Sequence, residues 1–117
     1  MARRLLCGAG MDIQFKFMLP NGPNGPVVLI GGGADADGDG VLAAGEVSSL
    51  SASGANEWSR TQTIVAPSTG KLFALTFTVG LAVDYNFVIV DKATGAQLAS
   101  GTGTTIFADD NWAGTLA

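Results

Sequence analysis

The run from Lys71 to Val79, Lys-Leu-Phe-Ala-Leu-Thr-Phe-Thr-Val, constrains the fold more than any other stretch of the chain. Phe73, Leu75, Phe77 and Val79 occupy every second position. Side chains two apart share a face only on an extended strand, because a helix repeats at 3.6 residues. The opposite face, with Leu72, Ala74, Thr76 and Thr78, is half apolar, which predicts a strand inside a sheet. Residues 85–90 have the same character: Tyr85, Phe87 and Ile89 oppose Asn86, Val88 and Val90. In residues 11–18, Met11, Ile13, Phe15 and Phe17 point one way, and Asp12, Gln14 and Lys16 point the other. That pattern predicts a half-buried strand.

Shorter strands are predicted at 27–30, 61–66, 97–99 and 104–107. The segments between them carry turn chemistry. Pro-Asn-Gly occurs twice in 20–26, Pro67 closes 61–66, and Ser68-Thr-Gly70 turns the chain. Residues 91–95 read as a hairpin loop with Gly95 in the left-handed region. Strand signals roughly ten residues apart, separated by Gly and Pro, predict a mainly β fold of antiparallel sheets, a sandwich or jelly-roll. At 117 residues the chain is expected to form one domain, 1–117, with a modest core. Residues 1–10 are expected to be a flexible terminus.

One stretch demands a ligand. Residues 35–46 read Asp-Ala-Asp-Gly-Asp-Gly-Val-Leu-Ala-Ala-Gly-Glu. Four carboxylates in twelve residues repel one another unless a cation joins them. Hard oxygen donors suit a hard divalent ion, and Ca²⁺ accepts six to eight of them in flexible geometry. The order fits D-x-[DN]-x-[DN]-G-x₅-E at every specified position. Asp35, Asp37 and Asp39 would each supply an oxygen, Val41 its backbone carbonyl, and Glu46 two oxygens. Ala43 has no side-chain oxygen, so water would serve there. Gly40 permits the sharp turn, Gly38 suits a left-handed backbone, and Leu42 is expected to anchor the loop inward.

These twelve residues resemble the EF-hand calcium loop. The flanks depart from that family, which has a helix on each side. Here Pro26-Val-Val-Leu-Ile-Gly-Gly-Gly33 reads as a short strand and a flexible joint, and three successive glycines argue against an incoming helix. A short helix is expected on the outgoing side, within 43–50. The arrangement is similar to strand–loop–helix variants in secreted bacterial proteins, dockerin-like modules among them. A single loop argues against a paired, calmodulin-type switch. The extension to Gly54 is similar to a segment of exported bacterial proteins of the PEP-CTERM sorting type, although the Pro-Glu-Pro sorting signal is not in the sequence.

Charge supports treating the loop as the centre of the chain. Ten acids and six bases give a net −4. The loop holds four of the acids and no base, so outside it six acids balance six bases. No basic patch for nucleic acid is present. A nearly neutral remainder favours association. No apolar run reaches the 18 residues that span a membrane. Cys7 stands alone, so it has no partner for an intramolecular disulfide. A basic start, Met-Ala-Arg-Arg, is followed by an apolar run that Asp12 cuts short of a signal-peptide core.

With no histidine, nucleophilic Ser-His and Cys-His systems and most catalytic zinc sites are unavailable. Asp109-Asp110 reads as a solvated turn rather than a catalytic pair. Gly31-Gly-Gly33 lacks the Lys and helix of a phosphate loop. The chain is therefore expected not to be an enzyme. The function expected is a calcium-binding, exported, structural or surface-assembly protein, extracellular or at the cell surface, that forms homo-oligomers or filaments. Strand 11–18 either completes a sheet in its own subunit or is donated to a neighbouring subunit, which would be a route to assembly. The alternative is a carbohydrate-binding module with structural Ca²⁺, binding a glycan on Trp58, Tyr85 and Trp112.

Overall fold

The computed structural model describes residues 10–21, 28–79, 82–104 and 109–117. Among the described residues, nine strands form two antiparallel sheets, the sandwich-like architecture that the alternation predicts. In chain order they are β1 (Gly10–Met18), β2 (Val28–Ala34), β3 (Ser48–Ser49), β4 (Ser51–Gly54), β5 (Glu57–Val65), β6 (Leu72–Val79), β7 (Asp84–Asp91), β8 (Gln97–Thr104) and β9 (Asp109–Thr115). The five-stranded sheet runs β4-β5-β1-β7-β8, and the four-stranded sheet runs β3-β2-β6-β9. No α-helix occurs among the described residues.

The core lies between the sheets, and the period-two pattern supplies it. Ile13, Phe15 and Phe17 of β1 are essentially fully buried. They meet Leu75, Phe77 and Val79 of β6 and Tyr85, Phe87 and Ile89 of β7 in one apolar cluster. Phe17 stacks on Tyr85 with ring centroids 5.6 Å apart and lies 4.7 Å from Phe77, within the range of favourable aromatic pairs.

Strand β1 is central. It pairs with β5 from Gly10↔Val65 to Met18↔Glu57 and with β7 from Ile13↔Asp91 to Met18↔Asn86. Both of its edges are therefore occupied within the chain. Of the two arrangements open to it, β1 takes the one that completes a sheet in its own chain, and its apolar face belongs to this chain's core.

Three elements extend beyond the sequence-based reading. β2 runs through Gly31, Gly32 and Gly33 as regular strand, not a joint, pairing with β6 up to Ala34↔Phe73. β5 begins at Glu57 instead of residue 61, and β8 continues to Thr104. In each case cross-strand pairing overrides weak local propensity. Asp109-Asp110 opens β9 rather than forming a turn. The terminal segment 1–9 with Cys7, most of the Pro-Asn-Gly loop, and all but the first residue of the expected strand 104–107 lie outside the described residues.

After Glu46 the chain is not helical. A single 3-10 turn, Ala44–Glu46, lies inside the acidic loop. The chain then adds β3 to one sheet, passes the buried Leu50, and adds β4 to the other. Small polar residues here carry no helical apolar stripe, whereas Leu50 plugs the core and its N–H donates to the Ile30 carbonyl at 3.0 Å. Asn56, at φ 53°, makes the tight turn from β4 into β5. The acidic loop thus connects β2 to β3 within the four-stranded sheet, and the chain crosses to the other sheet only afterwards, at Leu50.

Candidate metal centre

The loop 35–46 is fixed by its backbone at both ends. The Asp35 N–H donates to the Leu72 carbonyl at 2.8 Å, continuing the β2–β6 ladder by one residue. The Val65 N–H donates to the Ala36 carbonyl at 2.8 Å, tying the same segment to β5. At the far end, the Glu46 N–H closes the 3-10 turn on Ala43. Between these ends, Gly38 and Gly40 take φ of 71° and 86°. At Gly40 a side chain would meet open space, so the requirement there is backbone conformation alone.

Within this frame the aspartates converge. Carboxylate oxygens of Asp35, Asp37 and Asp39 all lie within 4.8 Å of one another. Alternate positions in an extended strand would share a face about 7 Å apart; the turn at Gly38 draws them closer. Asp35 is 2 % exposed, while Asp37 and Asp39 face solvent. The Asp35 carboxylate accepts the Gly38 N–H at 3.1 Å and the Gly40 N–H at 2.8 Å. Asp37 accepts from the Asp39 N–H and Asp39 from the Val41 N–H. Each carboxylate therefore orders the loop while presenting remaining lone pairs to its neighbours.

The electrostatics follow from this crowding. Desolvation pushes the Asp35 carboxyl upward, but the Gly40 N–H and hydrogen bonds from Asp37 and Asp39 outweigh it, and the net shift is downward. Asp37 moves the other way. Its hydrogen bond with Asp35 raises it, and the charges of Asp39 and Glu46 add to that rise. At such a site a proton or a cation is the natural neutraliser, because like charges held together favour uptake of positive charge.

Glu46 takes a different part from the three aspartates. Its Oε2 accepts the Ala36 N–H at 2.7 Å and its Oε1 accepts the Ala43 N–H at 2.8 Å. It therefore clasps the loop across its mouth, and the converging triad is the three aspartates. The Val41 side chain is 60 % exposed at the loop tip, leaving its role to its backbone carbonyl. Leu42 is only half-buried and stands outside the core cluster; Ala34, Ala36 and Leu50 make the apolar contact beneath the loop. The donor set is three hard carboxylates beside a loop rich in backbone carbonyls. It fits a hard divalent cation and offers no nitrogen or sulfur donor for a softer metal. The triad could hold a metal ion.

Sequence reasoning missed two residues beneath the site, Arg60 and Gln62. Gln62 is 7 % exposed, and Arg60 is half-buried. Gln62 Oε1 accepts the Ala34 N–H at 2.9 Å, and its Nε2 donates to the Ala34 carbonyl at 3.1 Å and the Glu46 carbonyl at 3.2 Å. Arg60 Nη1 donates to the carbonyls of Gly32, at 2.6 Å, and Glu46, at 3.0 Å. Loss of water around the guanidinium lowers its pKa. The signal was present in alternation: Gln62 shares its strand face with buried Ile64, and a polar residue at a core position needs partners.

The aromatic residues do not assemble an exposed platform. Tyr85 is buried, its hydroxyl accepts the Trp112 Nε1–H at 2.9 Å, and Trp112 packs edge-on to Phe87. Trp58 packs edge-on to Phe17. Compared with known proteins, the chain matches no family model and no curated sequence.

Proposed function

We propose that this chain is a calcium-binding structural module of an exported or cell-surface protein, in which one Ca²⁺ stiffens the connection between β2 and β3 and the domain self-associates. The observation that carries the reading is the convergence of Asp35, Asp37 and Asp39 within 4.8 Å, on a loop clasped by Glu46. The spacing of these acids supports calcium over magnesium, because magnesium demands a smaller and stricter octahedron. The near-neutral remainder of the chain supports association.

In this reading the ion does no chemistry on a substrate. It neutralises the triad and joins the end of β2 to the start of β3. Bound to the folded state alone, it adds about 2.7 kcal/mol at a hundredfold excess over Kd. For a domain of this size that corresponds to a rise in Tm of about 10 °C. Extracellular modules bind calcium with Kd of about 10⁻⁴–10⁻³ M, so the hundredfold excess corresponds to about 10–100 mM calcium, and about 1 mM gives a rise of a few °C.

Asp37→Asn tests the assignment. Asn keeps the oxygen that accepts the Asp39 N–H and removes one charge from the triad. The variant is expected to match or exceed the unmutated protein's Tm in chelator, since repulsion is relieved, and to lose most of the rise in millimolar calcium. Titration calorimetry without heat, together with a Tm that calcium does not move, would exclude the ion.

Self-association would have to use an outer strand, since β1 is enclosed. The outer strand of the five-stranded sheet that suits this is β8, eight residues without a charge or a proline. Uncharged edges recruit further strands, and a lysine is a common way to prevent it. Thr102 is exposed on β8. Sedimentation velocity in millimolar calcium is expected to detect oligomers that Thr102→Lys reduces to monomer. A monomeric unmutated protein at high concentration would defeat the assembly reading and leave the calcium reading standing.

A further inference from the structure

The edge of β2 away from β6 pairs with β3 at Gly31 and Gly32, and Leu50 together with Arg60 and Gln62 of the opposite sheet also take backbone groups along it. The carbonyls of Ile30 and Gly32 and both backbone groups of Ala34 face away from β6. The Leu50 N–H takes the first, Arg60 the second, and the Gln62 carboxamide takes both groups of Ala34. The carboxamide thus acts as one extra peptide unit, extending the ladder where no strand lies alongside. One residue later the chain enters the triad at Asp35. The same Gln62 nitrogen reaches the Glu46 carbonyl, where the loop ends. A single buried side chain therefore spans the entry and the exit of the acidic loop, and Arg60 braces the exit from the side.

We infer that Gln62, seconded by Arg60, is a positioning residue that holds the loop in its metal-ready form before the ion arrives. This rests on the calcium reading above. The mechanism is preorganisation. With both ends of the loop fixed to β5, the ion orders only the short arc between them, and less of its binding energy is lost to ordering. Without Gln62, the Ala34 N–H and the Ala34 carbonyl lose their buried partner, the Glu46 carbonyl keeps only Arg60, and the spacing of Asp35 and Glu46 is less tightly held. Residues behind metal ligands commonly govern affinity by about 10–100-fold. The inference also couples the site to the five-stranded sheet: whatever the ion does to the loop is felt first at β5, next to the central strand β1.

The test is calcium titration calorimetry on the full chain, with Gln62→Met, Gln62→Glu and, as a control, Thr63→Val. All are measured at a temperature where circular dichroism shows each variant folded. Methionine keeps the size of the side chain and removes every hydrogen bond. Glutamate keeps the acceptor for Ala34 and removes both donations. Thr63 is exposed on the same strand, and its hydroxyl bonds Asp12, away from the loop. The expected result is a Kd raised about tenfold or more by Gln62→Met, an intermediate rise for Gln62→Glu, and no change for Thr63→Val. A folded Gln62→Met variant with the Kd of the unmutated protein would overturn the inference and leave calcium binding intact. Absence of binding by the unmutated protein would overturn the calcium reading itself and this inference with it. If methionine prevents folding, the unmutated protein still decides. The Gln62 side-chain amide resonances should shift on calcium titration with the same midpoint as the Asp35 N–H, and unmoved resonances would overturn the inference.

Discussion

Gly33→Ala is expected to lower Tm by about 11 °C, or to prevent folding, on the basis of about 3 kcal/mol of overpacking and the usual size scaling. A Cβ built on Gly33 would collide with the Glu46 carbonyl oxygen and lie 2.9 Å from the Val47 Cα. Both are backbone atoms, and the oxygen is held by Arg60 and Gln62, so neither can swing aside as a side-chain tip would. Alanine also restricts the unfolded chain, which by itself would stabilise by about 0.4–1 kcal/mol. The clash is several times larger and decides the sign. Gly45→Ala supplies the comparison, since its Cβ would meet nothing within 4 Å. Thermal melts of the two variants check the claim: equal midpoints would mean that the loop does not lie against β2. Because the same carbonyl closes the acidic loop, the calcium binding proposed above should also be weaker in the Gly33 variant where it folds at all.

Deleting residues 1–18 is expected to abolish cooperative folding. The deletion removes the central strand of the five-stranded sheet and, with it, Ile13, Phe15 and Phe17. Burying three such side chains contributes on the order of 5–8 kcal/mol, comparable with the whole net stability of a small domain, about 5–15 kcal/mol. It also leaves facing edges of β5 and β7 without partners. Near-ultraviolet circular dichroism and a urea titration should show no folded baseline. A soluble, folded remainder that unfolds in a single transition would mean that β1 is an added strand rather than a founding one.

Part of the candidate site could be read without coordinates. The twelve residues from Asp35 to Glu46 specify where acids, glycines and carbonyls fall along a loop, and the structure brings Asp35, Asp37 and Asp39 together as that order implies. The left-handed backbones of Gly38 and Gly40 follow from the same order, because a turn that tight excludes side chains that clash at positive φ. The position of Glu46 was less legible. Its carboxylate closes on Ala36 and Ala43 N–H groups, and these partners exist only once the 3-10 turn has formed. Gln62 was legible in part, as a polar residue in a buried register, but its partners lie 28 residues away at Ala34.

The sequence alone specified β1, β6 and β7, because period-two alternation is a local property that needs no partner to be visible. It also determined the acidic loop, because ligand spacing along one turn is set by bond lengths and φ. The tertiary structure decided the rest through contacts distant in sequence. It made Gly31-Gly-Gly33 a strand instead of a joint, since the space beside those residues is taken by Leu75, Leu50, Phe15 and the Glu46 carbonyl. It turned the expected helix after Glu46 into two short strands, since Leu50 gains more by filling the core than its polar neighbours gain from helical bonds. And it placed β1 in the middle of its sheet rather than at an exposed edge: alternation fixes which face of a strand is buried, while the number of its neighbours is set by which other strands remain to be paired.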